Sequence, residues 1–359
     1  MKTLYFHVGT PKTGTTTLQE FCLANNETLE QSGLYYPNTP ELLNNRSANG
    51  FLLVSNQKDR ATRAKCWEKY LNSIAKTDAK NILVSEEIFF LMPNIEMFSE
   101  LKFKGYQVKF IIYLRPSFEY LCSFWSEMCR VHEPYRPYLE YPLPLEQFLL
   151  GENRYTKDLQ KIITLAELFG NDNIIIRTFE KTSFVGGDLI SDFMSIFGLP
   201  STLELKSIDA QNPNNRSRKM LDTINILQTA NILGSFLHDI STSMQDPKDV
   251  EADFEYLLGT IGGDLNAQES VSDEVIEKVV AKYAIIESAF AEQFLNRKQL
   301  FTNNFPSVYQ QPRPHYKGLS NEELLKINIF VQNKIYAMRP SYQKLWRKIE
   351  KKLYNKFKK

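Results

Sequence analysis

The chain has 359 residues, and its 43 Lys and Arg against 42 Asp and Glu give a formal net charge of +1 at pH 7, which predicts no general attraction to nucleic acid. No apolar run approaches the roughly 18 residues that span a bilayer, and the four Cys and four His lack the spacing of metal ligands. Because Met1 and Lys2 lead directly into an apolar strand, we expect no signal peptide. Cysteines that lie within or near predicted helices are typical of free thiols in a reducing compartment, so we expect a cytoplasmic protein, and the scattered His and Cys predict that it binds no metal.

The first predicted element is a strand over residues 3–8, which a loop rich in Gly and Thr connects to a helix over residues 18–24. Gly9 and Gly14 permit tight turns and a close approach of the backbone to an anion. The helix that follows points its free N–H groups and the positive end of its dipole at the same place. The pattern therefore predicts a phosphate cradle, formed by Pro11, Lys12, Thr13, Gly14, Thr15, Thr16 and Thr17.

The position of the lysine distinguishes this loop from that of nucleoside triphosphate enzymes. Their pattern, G-x-x-x-x-G-K-[ST], places Lys directly after the second Gly. Here Thr15 follows Gly14, and Lys12 lies inside the loop. The run P-K-T-G-T-T resembles the 5′-phosphosulfate loop of sulfotransferases that use 3′-phosphoadenosine 5′-phosphosulfate (PAPS), and the longer run from Phe6 to Gln19 is similar to bacterial carbohydrate-type members. The resemblance implies a three-layer, P-loop-type α/β fold, in which a parallel sheet is flanked by helices.

Residues 26–80 and 130–150 interrupt the resemblance and are predicted to be insertions. They are rich in Tyr, Asn, Pro and Arg. Aromatic side chains stack well on sugar rings, so these residues are candidates for the wall of an acceptor site. Covering the core is an equally good interpretation. The residues concerned are Tyr35, Tyr36, Trp67, Tyr135, Arg136, Tyr138 and Tyr141.

A second buried strand, predicted over residues 81–85, ends at Glu86 and Glu87 and precedes a short helical segment. Sulfuryl transfer to an alcohol requires a base that removes the hydroxyl proton. We predict Glu87 as this base and Glu86 as the second candidate, although one of the pair is suited to cap the next helix. His7, at the end of the first strand, is the third candidate, although a histidine so placed is more often a packed structural residue.

A third buried strand over residues 109–114 ends at Arg115, and a helix follows over residues 117–129. Open α/β sheets bind ligands at the carboxyl ends of their strands. The pattern R-P-x(6)-S, formed by Arg115, Pro116 and Ser123, resembles the 3′-phosphate site of the same family. A guanidinium suits this role because its planar fork can donate two hydrogen bonds to one phosphate.

The alternation of strands and helices continues through residues 157–169, 173–179 and 189–199. Such an order predicts a parallel sheet with helices on both faces. A polar loop further on resembles an N-x-S motif of bacterial members, which implies that Ser217 and Arg218 close over the 3′-phosphate or the adenine. A solvated helix start is the equally good alternative. Residues 224–300 are predicted to be mostly helical.

We divide the chain into a domain over residues 1–301 and a helical extension over residues 302–359. The last part of this extension, residues 341–359, carries eight cations against one acid, with apolar side chains at helical spacing. A basic amphipathic helix is typical of segments that lie on an anionic membrane surface. Docking on the protein's own core is the alternative.

These features together predict a PAPS-dependent sulfotransferase that acts on a hydroxyl of a carbohydrate or glycoconjugate. A membrane-bound tail would suit a lipid-linked glycan acceptor. In this mechanism Lys12 neutralises charge on the leaving phosphate. Two alternatives remain: a P-loop small-molecule kinase, which would require magnesium ligands, and a glycan- or nucleotide-binding pseudoenzyme without activity.

Overall fold

The protein is described by a computed structural model. Its described residues are 1–10, 13–43, 47–50, 60–87, 89, 98, 105–130, 145–152, 154–199, 203–206 and 271–302, together with 322, 325, 326, 329, 330 and 333. Pro11, Lys12, Ser217, Arg218 and residues 341–359 lie outside this set, so the predictions made for them stay predictions.

A five-stranded, fully parallel sheet forms the centre of the fold, in the order β2-β3-β1-β4-β5. Because all the strands are parallel, their carboxyl ends lie at one edge of the sheet, with β1 between β3 and β4. The predicted α/β fold with a parallel sheet is therefore confirmed. The strands are β1 (Lys2–His7), β2 (Leu34–Tyr35), β3 (Asn81–Ser85), β4 (Tyr106–Leu114) and β5 (Ile174–Thr178).

Nine α-helices with defined bounds accompany the sheet in the described residues. Most of those predicted are found, with ends shifted by a few residues, because patterns locate helix ends less well than helix centres. The helices are α1 (Thr15–Ala24), α2 (Asn26–Gln31), α3 (Pro40–Leu43), α4 (Arg60–Ile74), α5 (Ser117–Arg130), α6 (Leu145–Gly151), α7 (Arg154–Phe169), α8 (Leu189–Ser195) and α9 (Asp273–Leu295).

The two faces of the sheet bury different side chains, as alternation along a strand requires. One face packs against α1 and α8, in a cluster that includes Tyr5 and Phe193. The other face is aromatic, since Phe6 of β1 lies 5.6 Å from Phe110 of β4 and 6.0 Å from Trp67 of α4, between ring centroids. Helices thus cover both faces, which gives the three layers predicted from the alternation.

Asn49 completes the sheet beside β3, beyond the point where the two residues of β2 end. Its side-chain Nδ2 donates to the carbonyl oxygen of Leu83 (2.9 Å), and its Oδ1 accepts from the amide of Ser85 (2.8 Å). Its own amide donates to the carbonyl oxygen of Ser85 (3.2 Å). One residue therefore satisfies three backbone groups of β3 at its carboxyl end.

The chain divides into two compact units, and the first contains the whole sheet. This unit consists of Met1–Phe124, Leu149–Arg216 and Ser272–Val308. The second unit lies mostly outside the described residues. The predicted boundary between residues 301 and 302 stays a prediction.

Candidate functional site

The loop between β1 and α1 has the two left-handed glycines that the sequence predicted. Gly9 has φ 44°, and Gly14, the residue before α1, has φ 76° and ψ 18°. A Cβ on Gly14 would lie 2.4 Å from Leu189 Cδ2 and 3.4 Å from the ring of Phe179, and its φ of 76° is one that other residues rarely adopt, so glycine is strongly favoured there. We call the described residues of this loop, Gly9, Thr10 and Thr13–Thr17, the loop site.

Hydroxyl groups inside the loop site have distinct roles. Thr10 Oγ1 donates to the carbonyl oxygen of Tyr113 on β4 (2.6 Å), and Thr13 Oγ1 donates to the carbonyl oxygen of Thr10 (2.7 Å). These two hydroxyls therefore fix the loop itself. Thr15 is buried, and its Oγ1 has no hydrogen-bond partner in the described part of the chain, whereas Thr16 is exposed and Thr17 is half-buried.

Among the described residues, the start of helix α1 lacks the usual side-chain groups that stabilise the positive end of a helix. Its N-cap residue is Gly14, which has no side chain to cap the helix, and its first turn holds no acidic residue. The first amides of a helix have no partner within the helix, so they attract anions when nothing else binds them. Together with the buried Thr15 hydroxyl, this end of α1 is suited to hold a phosphate.

Arg115 follows the last residue of β4, at the same edge of the sheet and on the strand next to β1. Its side chain is 26% exposed, and its Nε donates to Glu119 Oε2 at 3.1 Å. Its Cζ lies 5.7 Å from the ring centroid of Phe179, the first residue after β5. We call Arg115, Glu119 and Phe179 the arginine site.

Phe179 connects the two sites. The same ring that lies beneath the Arg115 guanidinium comes within 3.4 Å of the position of a Gly14 Cβ. The backbone amide of Phe179 donates to the carbonyl oxygen of Leu114 (2.6 Å), which fixes the ring at the end of β4. The loop site and the arginine site are therefore neighbours, separated by one aromatic ring.

Ser123 lies on α5, four residues after Glu119 and therefore on the same side of the helix. Its side chain is half-buried. The structure thus places Arg115, Glu119 and Ser123 along one side of the start of α5. Ser217 and Arg218, the other residues predicted for the 3′-phosphate, lie outside the described residues.

The two candidate acids after β3 differ in accessibility. Glu86 is only 3% exposed, and a Cβ on Gly50 would lie 2.6 Å from the Cβ of Glu86, so the segment of Asn49 and Gly50 covers it. Burial is the main cause that raises the pKa of the nearby Tyr36 phenol, and the charge of Glu86 adds to it. Glu87 is half-buried in the turn after β3. This difference favours Glu87 as the group that an acceptor can reach.

His7, the third candidate base, is fully buried at the carboxyl end of β1. Its Nδ1 lies 2.9 Å from Ser85 Oγ, and Gln19 Nε2 of α1 donates to the same oxygen at 3.1 Å. Burial lowers the pKa of His7 to about 3. The imidazole is therefore uncharged at neutral pH.

Two of the aromatic residues considered for the acceptor wall belong to the core. Tyr36 is fully buried, and Trp67 is buried on α4 against Phe6. Tyr35, in β2, is half-buried. The core interpretation is thus correct for Tyr36 and Trp67. The candidates in the second insertion, Tyr135, Arg136, Tyr138 and Tyr141, lie outside the described residues.

Sequence reasoning missed Glu119, Phe179 and the pair of Tyr113 and Asp192. Tyr113 Oη donates to the buried Asp192 carboxylate (2.6 Å), and Tyr113 also holds Thr10 through its carbonyl oxygen. The sequence could have predicted the contact of Arg115 with Glu119, because an acid four residues after an arginine near a helix start can form an ion pair with it. Asp192 and Phe179 come from distant parts of the chain, and no local pattern connects them to the loop.

The described residues include no group of three or more His, Cys, Asp or Glu side chains that could hold a metal ion. Across the same residues, no helix is both long enough and apolar enough to cross a membrane.

No family profile matches the chain, and no curated protein sequence matches it either. Several solved structures are similar to it, and three of them are sulfotransferases. The sulfotransferase from Alicyclobacillus acidocaldarius is 14% identical (TM-score 0.36), covering 62% of this chain and 91% of that one. The sulfotransferase domain from the curacin biosynthetic pathway is 15% identical (TM-score 0.35), covering 56% and 75%. The sulfotransferase domain from the Synechococcus PCC 7002 olefin synthase is 16% identical (TM-score 0.34), covering 74% and 97%. At these values the similarity assigns neither an activity nor a substrate to this chain.

Proposed function

We propose that the protein is a PAPS-dependent sulfotransferase. The observation that carries this proposal is the pairing of the loop site with the arginine site at the ends of adjacent strands, with the Phe179 ring between them. PAPS carries a 5′-phosphosulfate and a 3′-phosphate on one nucleoside, so its protein needs two separate anion sites side by side. The P-K-T-G-T-T run of the loop and the R-P-x(6)-S pattern after β4 support the same nucleotide.

In this proposal the loop site binds the 5′ group. The first amides of α1 and the hydroxyls of Thr15 and Thr16 donate to the phosphate, and Lys12 adds a positive charge. Thr10 and Thr13 hold the loop in shape through their bonds to backbone carbonyls. Arg115 binds the 3′-phosphate, and Ser123 on the same side of α5 is the next donor toward it.

The proposed chemical step is the transfer of a sulfuryl group to an alcohol. The acceptor oxygen attacks sulfur while the bond from sulfur to the 5′-phosphate oxygen breaks, and the electrons of that bond leave on the phosphate. Glu87 takes the hydroxyl proton, and the products are a sulfate ester and 3′-phosphoadenosine 5′-phosphate (PAP). Glu87 is assigned this role rather than Glu86 because it is the less buried of the two.

The acceptor we propose is a carbohydrate or glycoconjugate hydroxyl, on the strength of the sequence resemblance. The protein would act in the cytoplasm, and the basic segment 341–359 would place it at an anionic membrane if the glycan is lipid-linked. These proposals are independent of the nucleotide assignment, because no residue of either anion site lies in that segment.

The direct test is calorimetric titration with PAP, followed by transfer of labelled sulfate from PAPS to a panel of glycans. Binding of PAP with turnover on a glycan would support the proposal. Transfer of phosphate from ATP that depends on magnesium would instead identify a kinase, which Glu86 and Glu87 after β3 make the second candidate. Binding of PAP with no turnover on any acceptor would support the pseudoenzyme.

A further inference from the structure

The buried imidazole of His7 lies between β3 and the start of the loop site. Its ring centroid is 6.2 Å from that of Tyr113 and 5.2 Å from that of Phe193. Nδ1 faces Ser85 Oγ at 2.9 Å, whereas Nε2 lies 3.7 Å from the position that a Cβ on Gly9 would occupy. The two ring nitrogens therefore face different parts of the protein.

The contacts of Ser85 bear on which nitrogen of His7 carries the proton. A serine hydroxyl has one hydrogen to donate, and its oxygen also accepts hydrogen bonds. Ser85 Oγ accepts from Gln19 Nε2, and among the described residues its own hydrogen has one acceptor in reach, His7 Nδ1. This arrangement favours the tautomer in which Nδ1 accepts and the proton of the neutral imidazole lies on Nε2.

That Nε2–H group is buried and has no hydrogen-bond partner in the described part of the chain. Thr15 Oγ1 is also buried without a hydrogen-bond partner in the described residues, and it lies 2.9 Å from the same Cβ position on Gly9. Buried polar atoms without hydrogen-bond partners are rare, because a polar group that loses its hydrogen bonds to water and gains none in the protein destabilises the fold. Two such atoms beside one glycine, at the uncapped start of α1, are what an anion seated in the loop site would satisfy.

We propose that His7 is a neutral hydrogen-bond donor to the 5′ anion of the bound nucleotide, held in this form by Ser85 and Gln19, and is not the base. The inference rests on the proposed function and adds a binding residue to its loop site. Loss of charge through burial agrees with it, since the pKa of His7 falls to about 3. A ring protonated at Nε2 has no lone pair there to take the acceptor's proton, which leaves that step to Glu87.

A matched pair of substitutions tests the proposal. In His7→Gln the side-chain amide nitrogen can reach the position of Nε2, so a donor is kept toward the loop site. In His7→Asn the side chain ends near the position of Nδ1, so the contact with Ser85 is kept and the donor is lost. We expect His7→Asn to bind PAP about ten- to hundredfold more weakly and His7→Gln to stay within a few fold of wild type, as removal of one bond to a charged group predicts.

The matched ligand is adenosine 3′-phosphate, which lacks the 5′ group. Both variants should bind it as wild type does. Unchanged PAP affinity in His7→Asn, or an equal loss for both ligands, would overturn the inference while leaving the sulfotransferase proposal in place. If wild type itself binds no PAP, the proposed function fails, and the inference fails with it.

A second measurement needs no substitution. The ¹⁵N spectrum of the histidine side chains distinguishes a protonated ring nitrogen from an unprotonated one, and the His7 signals can be assigned on wild-type protein with PAP bound. We expect a protonated Nε2 and an unprotonated Nδ1 from pH 6 to pH 8. The reverse tautomer, or a ring that gains a proton in this range, would refute the assigned donor.

Discussion

Replacement of Arg115 by Ala tests the nucleotide assignment most directly. The ion pair of Arg115 with Glu119 is partly exposed, 26% for Arg115 and 32% for Glu119, and water screens such pairs. Exposed pairs contribute about 0 to 1 kcal/mol to stability, so the folded protein should lose little. Loss of charge-assisted bonds to a phosphate costs about 1.5 to 3 kcal/mol, so PAP binding should weaken roughly ten- to hundredfold.

The assay is calorimetric titration with two ligands that differ in one group. PAP carries the 3′-phosphate, and adenosine 5′-phosphate lacks it, so Arg115→Ala should weaken the first and leave the second unchanged. Arg115→Lys is the matched control, because it keeps the charge but loses the planar fork, and it should fall between wild type and Ala. Equal losses for both ligands would show that Arg115 does not bind the 3′-phosphate and would refute the reasoning.

Three further predictions follow from the same site and from the sequence. Glu87→Gln should lower turnover by about two to four orders of magnitude, measured by sulfate transfer, with PAP affinity within a few fold; near-normal turnover would remove Glu87 as the base. Gly14→Ala should lower the melting temperature and weaken PAP binding, because alanine rarely adopts a φ of 76° and its Cβ would displace Leu189 Cδ2, 2.4 Å away; a variant that folds and binds normally would contradict the need for glycine there. Truncation after Pro340 should leave folding intact and abolish salt-sensitive binding to vesicles containing anionic lipid, whereas loss of stability without any lipid binding would support a docked segment 341–359.

The central strands were predictable because buried parallel strands are continuous apolar runs. Ile82 to Val84 and Phe110 to Leu114 are such runs, and both are almost fully buried. The first three residues of β4, Tyr106 to Val108, were missed because Gln107 interrupts the apolar pattern there. The loop site was predictable for a different reason, since Gly9 and Gly14 are needed for backbone angles that other residues rarely adopt.

The connections between the predicted pieces could not be obtained from local patterns. Strand β2 has two residues, too few for any periodicity, and it pairs with β3 nearly fifty residues away. Phe179 was visible as the end of a strand, but its place between Arg115 and Gly14 depends on how three separate segments pack. Likewise, Glu86 is more buried than Glu87 because Asn49 and Gly50 cover it, and these two residues lie far upstream in the chain.

The side chain of Asn49 also has a consequence for association between molecules. The outer side of β3 beyond β2 is a sheet edge, and open edges offer backbone groups to which a strand of another chain can add. Asn49 occupies three of these groups, at Leu83 and at both the amide and the carbonyl of Ser85. A single residue, through its side-chain amide and its backbone N–H, thus takes the place of an incoming strand and closes this part of the edge against edge-to-edge aggregation.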